Sequence, residues 1–334
     1  MYGVPTTFFT LLLFLALASL TSCGTDTAPA DGERTPGASA AYDRVEWLPQ
    51  ATKDSLGQPV GVGLAADGNV IVFHRGVAPA APYVPGDVVA IIDPADGRLV
   101  SSWGAGFFVQ PHGMHVDGAG NVWLTDIKRQ QVFQFSAAGE LLMALGEEGV
   151  KGTDSLHFDQ PTDVAVSPAG DIFVTDGYGN RRVMKFSGQG QFIMAWGTEG
   201  TAPGAFNNPH AIDISEGGEL FVSDRDNHRV QVFNDHGEFQ RELPTAAPVY
   251  ACINTNGEGQ LLATDYLKED TVIRGSSVFT ISGEGREALL DRPETDGVAP
   301  CRYHDLVMAA DGSLYLADLL SKEVHRLVRT KSSK

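Results

Sequence analysis

The sequence predicts an all-β protein, a six-bladed β-propeller with four short antiparallel strands per blade. One motif recurs six times in the same register, and each copy reads as alternating strands separated by Gly-containing turns. The composition agrees with this. The chain has 334 residues with 38 Gly, 18 Pro, 43% hydrophobic and 20% charged residues. That is too apolar for disorder and too rich in turn formers for a helical bundle.

The first segment stands outside that fold. Phe8 to Leu20 is an apolar run, FFTLLLFLALASL. It falls short of the roughly 20 residues a permanent transmembrane helix needs, and it suits the apolar region of a secretory signal. The run leads into Leu20-Thr21-Ser22-Cys23, which resembles the lipobox of bacterial lipoproteins, in which cleavage precedes a lipidated Cys. No Lys or Arg precedes the run, so a plain signal peptide is the alternative. The expected organisation is a signal peptide over 1–22, the lipidated Cys23 with a tether over 23–45, and the propeller over 46–334. The Gly-, Thr-, Ala- and Pro-rich stretch after Cys23 has nothing with which to build a core. Together these features place the folded part outside the cytoplasm, lipid-anchored at an outer membrane or periplasmic face.

The net charge of −18 argues against a nucleic-acid partner and suits bound cations. Only three Cys are present, too few for a disulfide scaffold. Cys252 and Cys301 could pair in an oxidising compartment or remain buried thiols. A monomer is expected.

The clearest copies of the motif are QPHGMHVDGAGNVWLTD (110–126), QPTDVAVSPAGDIFVTD (160–176) and NPHAIDISEGGELFVSD (208–224). Each opens on a polar residue and Pro, a fit for the start of a strand. An alternating strand, a Gly turn and a second strand ending in Asp follow. A third strand (QQVFQFS, RRVMKFS, HRVQVFN) and a fourth complete the unit. Fainter copies occupy 58–76, 249–265 and 302–318. Six units of about 50 residues fit propeller blades, whereas two β-sandwiches would leave the common register unexplained. Asp126, Asp176, Asp224, Asp265 and Asp318 close the second strand in five copies, a repetition that points to a structural turn role.

The residue after the opening Pro begins the innermost strand of each blade. In order, that position holds Val60, His112, Thr162, His210, a residue near Ala251, and His304. Histidine therefore occupies alternate blades. Alternate blades of a six-fold ring are related by a third of a turn, so three imidazoles converge on the axis. Three His with an open fourth position form the ligand set of a catalytic zinc site. His157, His228, His236 and His325 read as ordinary.

These residues, with VIVFHRG (70–76), DGYGN (176–180), DRDN (224–227) and YHDLVMAADGSLYLAD (303–318), resemble peptidyl-α-hydroxyglycine α-amidating lyase, an NHL-type propeller enzyme. The likeness runs from about Gln58 to Leu327. It implies that His112, His210 and His304 bind Zn²⁺. It implies active-site roles for Arg75 and Arg225 and a catalytic base in Tyr178. It also implies a structural Ca²⁺ on Asp305 and the backbone carbonyls of Val62 and Met114. The implied reaction splits a peptidyl- or N-acyl-α-hydroxyglycine into a primary amide and glyoxylate. Two disulfides of the animal enzymes are missing, since Asp159 and Gly179 stand at one pair of positions and Phe221 and Val232 at the other. The competing readings are an anchored, non-catalytic NHL-type propeller that binds protein or glycan, and a Ca²⁺-dependent lactonase-like propeller.

Overall fold

In the computed structural model, which describes residues 42–254, 261–269, 272–283, 285–293 and 300–330, six antiparallel sheets form six blades. Their innermost strands are Pro59–Leu64, Pro111–Val116, Asp163–Val166, Pro209–Ile214, Val249–Asn254 and Tyr303–Met308. The alternation read from the sequence is that of blades buried on both faces. In all six blades the second strand is fully buried, as in Val70–His74 and Leu261–Asp265. The outermost strand is half exposed, as in Phe192–Trp196. Large aromatic side chains fill the gaps between neighbouring blades. Phe108 packs edge-on against Phe73 and Phe133 at 5.1 and 5.8 Å, joining the first blade to the second.

Two features depart from expectation. The sixth blade takes its outermost strand from Tyr42–Val45, which pairs with Glu323–Arg329 in the register Tyr42↔Arg329 to Val45↔Arg326. The propeller therefore includes Tyr42–Val45, ahead of the expected boundary at 46. This pairing closes the ring between the first and last blades, leaving only the short outer edge of each blade. The fifth blade is the other departure. It carries the long strands Val272–Ser282 and Gly285–Pro293 and an additional short strand, Leu267–Glu269. The signal segment, Cys23 and the tether as far as residue 41 lie outside the described residues, as does the side chain of Cys252; Cys301 is buried.

The Asp that ends each second strand has a structural task. Asp126 accepts from the amides of Val109 and Gln110 at 2.6 and 2.9 Å. Asp176 accepts from Asp159 at 2.8 Å, Asp224 from Asn207 at 2.7 Å and Asp318 from Arg302 at 2.7 Å. These four carboxylates satisfy amides just ahead of an inner strand and so aim that strand at the axis, while Asp265 in the fifth blade accepts from the Ser277 amide of its third strand at 3.0 Å. The first blade has no Asp here. His74 pairs with Pro59 as Asp126 pairs with Pro111. Its Nδ1 accepts from Gly57 and Gly76 at 3.2 and 3.1 Å. Only neutral imidazole can accept those bonds, and burial holds its pKa down to about 4.

A folded-state pKa below the unfolded value makes a contribution present above pH 6.5 and lost as the pH falls towards 4. The metal-free protein is therefore expected to lose stability over that range, with about 3 kcal/mol traceable to His74. His74→Asn, which keeps an acceptor but cannot titrate, should flatten part of that slope in denaturant titrations at pH 4.5 and 7; an unchanged slope rejects this role.

Candidate metal centre

In five of the six inner strands, all but Asp163–Val166, the pairing is interrupted by a bulge just after the first residue. The pairing steps from Pro209↔Asp224 to Ala211↔Ser223, which leaves His210 unpaired and free to point inward. The same shift follows Pro59, Pro111, Val249 and Tyr303. The imidazoles of His112, His210 and His304 meet with ring centroids 4.7–4.9 Å apart, and one nitrogen of each lies within 4.8 Å of the others. All three are buried, at 1, 2 and 6% exposure. Three buried His in this arrangement could hold a metal ion.

The odd-numbered blades set the orientation. His112 Nδ1 donates to the Thr162 carbonyl at 2.7 Å, His210 Nδ1 to the Tyr250 carbonyl at 2.9 Å and His304 Nδ1 to the Val60 carbonyl at 2.8 Å. Val60, Thr162 and Tyr250 hold in the first, third and fifth blades the position that His holds in the others. A backbone carbonyl can only accept, so each proton sits on Nδ1 and each Nε2 lone pair faces the axis. Burial also keeps the rings neutral. It depresses His112 to about 3 and holds His210 and His304 well below the ordinary imidazole value, with neighbouring cations adding to the effect. Neutral imidazoles with a fixed tautomer and inward lone pairs are the donor set a borderline cation such as Zn²⁺ requires.

Tyr178 lies beside this trio. Its hydroxyl is 2.8 Å from His112 Nε2 and 3.2 Å from His210 Nε2. Burial raises its pKa, opposed chiefly by the Arg225 charge and then by Arg75. Arg225 lies over the Tyr178 ring at 5.6 Å and pairs with Asp226 at 2.9 Å. Burial opposes its charge, but the bond to Asp226 and the two neighbouring tyrosines keep its pKa raised. Arg75 donates to Gln58 Oε1 at 2.7 Å and to the Pro111 carbonyl at 3.3 Å, and burial lowers its pKa. Tyr178, Arg75 and Arg225 are thus brought to one side of the three His. The Asn of each motif has a structural task, since Asn180 and Asn227 donate to Asp176 and Asp224 at 2.7 and 2.8 Å.

One residue further along the inner strands lies Asp305. It accepts from the Val62 and Leu306 amides at 2.9 and 2.8 Å. With Val62 and Met114 it lines a cavity of about 380 Å³, shared with Asp163 and Asp213. Burial raises Asp305 to about 7 and Asp163 well above the carboxylate range, with mutual repulsion contributing to Asp163. Among the described residues only the imidazole trio gathers three ligating atoms within 4.8 Å, so these carboxylates surround the cavity without converging as closely.

Several site residues escape the sequence reading. Tyr250 takes the fifth-blade position, one residue before the expected neighbourhood of Ala251, because Val249 stands where Pro marks the register in the first four blades. Gly113 and Gly177 are set by clearance. A Cβ on Gly113 would come 2.3 Å from the Thr162 carbonyl, the acceptor for His112, and one on Gly177 would come 1.9 Å from the Pro209 carbonyl. The missing disulfides leave intact geometry. Gly179 donates its amide to the Asp159 carbonyl at 2.9 Å, and Phe221 faces Val232 across two paired strands.

Comparison with known proteins gives an NHL repeat match over residues 158–186 and 206–233. The chain is 30% identical over 290 residues to the probable peptidyl-alpha-hydroxyglycine alpha-amidating lyase of Caenorhabditis elegans, covering 79% of this chain and 80% of the relative. It is 34% identical over 312 residues to the peptidyl-glycine alpha-amidating monooxygenase of Mus musculus, covering 83% of this chain and 31% of that protein. The chain spans about a third of the length of the vertebrate monooxygenases it matches. It is 35% identical over 267 residues to NHL repeat-containing protein 3 of Mus musculus, covering 70% of each. The solved streptogramin B lyase shares the fold, with a TM-score of 0.56, 13% identity and coverage of 88% of this chain and 100% of that one.

Because Gly113 gives the Thr162 carbonyl room to reach His112, Gly113→Ala should weaken divalent-metal binding by roughly 10–100-fold while the fold persists. Metal titration alongside circular dichroism checks this; unchanged affinity would show that the carbonyl contact does not orient the ring.

Proposed function

The chain belongs to the peptidyl-α-hydroxyglycine α-amidating lyase family, and from that premise we propose that it cleaves the C–N bond of a peptidyl- or N-acyl-α-hydroxyglycine, giving a primary amide and glyoxylate. The observation that carries this reading is the Tyr178 hydroxyl lying 2.8 Å from a nitrogen of a buried, neutral three-His cluster. His112, His210 and His304 would hold Zn²⁺, whose Lewis acidity would act on the carbinol oxygen and favour the phenolate beside it.

The chain's own groups supply the rest. Tyr178 Oη takes the carbinol proton as the C–N bond breaks; the carbinol oxygen becomes the aldehyde oxygen of glyoxylate, the bonding pair leaves on the amide nitrogen, and a proton returned from the Tyr178 hydroxyl completes the primary amide. In the protein alone burial keeps that phenol protonated, and Arg225 and Arg75 offset this only in part. The same two guanidiniums, on the side of the cluster where Tyr178 stands, hold the glycine carboxylate. The inter-blade carbonyl bonds keep the three Nε2 atoms in place through turnover. Ca²⁺ would bind further along the channel at Asp305 with the Val62 and Met114 carbonyls. These are hard oxygen ligands, and a cation there would relieve the cost of the neighbouring buried carboxylates. A lipid on Cys23 would hold the propeller outside the cytoplasm.

The likeness to a protein named for its NHL repeats favours a second reading, a binding propeller without turnover. Metal content and turnover separate the two. Purified chain should carry about one Zn²⁺ in the three-His site and release glyoxylate from an N-acyl-α-hydroxyglycine. Tyr178→Phe should slow that release by about 100-fold or more with metal retained. Glyoxylate release at the same rate in Tyr178→Phe rejects the base assignment, and its absence from metal-loaded wild type selects the binding module.

A further inference from the structure

We propose that Arg302 forms a second anion-binding position at the channel mouth, selecting α-hydroxyglycine substrates whose acyl portion carries a carboxylate of its own. This rests on the lyase reading for the substrate class, but the anion position itself does not.

Arg302 precedes the inner strand of the sixth blade, two residues before His304. Its backbone amide is held by Asp318 Oδ1 at 2.7 Å. Its guanidinium lies over two tyrosine rings, 4.8 Å from Tyr250 and 5.4 Å from Tyr266, whose own centroids are 4.7 Å apart. It donates through Nη2 to the Tyr250 hydroxyl. Tyr250 in turn packs against His210 at 4.8 Å and His304 at 5.6 Å. Arg302 therefore stands on the flank of the fifth and sixth blades and shares the Tyr250 ring with Arg225, which lies over it at 5.1 Å.

The partners of this charge are unusual. Arginines that cap the blade Asp residues are paired with carboxylates, Arg229 with Asp224 and Glu242 at 2.8 and 2.7 Å and Arg182 with Asp176 at 3.0 Å, whereas Arg75 at the site bonds only to Gln58 and the Pro111 carbonyl. Among the described residues no carboxylate pairs with Arg302, and its Nε has no acceptor. A phenol oxygen and two ring faces are its partners, in a chain whose net charge is −18. Arg75 and Arg225 flank Tyr178 and suffice for the one carboxylate every α-hydroxyglycine carries. A third guanidinium, preset on a tyrosine pair beside the metal cluster, gains its missing counter-charge when the acyl group brings a second carboxylate.

Two inert analogues lacking the hydroxyl test the position without turnover: N-succinylglycine, with the second carboxylate, and N-butyrylglycine, of similar length without it. Isothermal titration of the metal-loaded full chain should show N-succinylglycine binding about 10-fold or more tightly, with the preference shrinking as salt is added. Arg302→Gln should abolish the preference, and Arg302→Lys should restore part of it. Equal wild-type affinities overturn the proposal with no variant needed. So does an Arg302→Gln effect that weakens both ligands equally, which would assign Arg302 to the shared glycine carboxylate. With the hydroxylated counterparts, the preference should appear in KM more than in kcat. A binding preference with no glyoxylate from either substrate would overturn the lyase reading and leave the anion position standing.

Discussion

The interaction on which the site depends is a hydrogen bond between neighbouring blades. Each axial imidazole in an even-numbered blade donates Nδ1–H to a carbonyl at the matching position of the next blade round, Thr162, Tyr250 or Val60. A single bond of this kind contributes on the order of 1 kcal/mol to stability. Its larger effect is directional. It settles the tautomer, fixes the ring plane and leaves every Nε2 lone pair on the axis. Because His304 reaches Val60 in the first blade, the orientation of the cluster depends on the ring being closed, and closure depends on Tyr42–Val45 completing the sixth sheet. A strand at the chain's beginning and a ligand near its end thus serve one geometry.

Charge is sorted along the channel. Arg75, Arg225 and Arg302 gather with Tyr178 and Tyr250 around one side of the imidazoles, while Asp163, Asp213 and Asp305 line the cavity further along the inner strands. The strongly negative net charge conceals this polarity. An anionic ligand approaching from that side would meet guanidiniums first and the neutral His cluster behind them. The carboxylates are separated from it by the imidazole layer, in a position suited to a hard cation.

Much of this was legible in the sequence because a propeller repeats. Strand alternation, Gly turns and the Pro at or just before the start of the first four inner strands set a register, and the register put His112, His210 and His304 on alternate blades. The five strand-ending Asp residues read as structural for the same reason. Reading failed where the repeat lost its markers. Val249 in place of Pro hid Tyr250, and His74 in place of Asp hid the same amide-capping task in the first blade. Tyr42–Val45, short and next to a structureless composition, carries no signal that it belongs to a sheet whose other strands lie at the far end of the chain.

The sequence by itself determined the fold class, the number of blades and the identity of the axial trio, because those follow from periodicity, which is local information counted along the chain. Tertiary structure alone decided the tautomers, the burial that keeps the imidazoles neutral, the clearance at Gly113 and Gly177, and the placing of Arg302 over Tyr250 and Tyr266. These depend on distances between atoms in different blades. Periodicity says which residues face the axis, but only closure of the ring says how near they come and which partners they find.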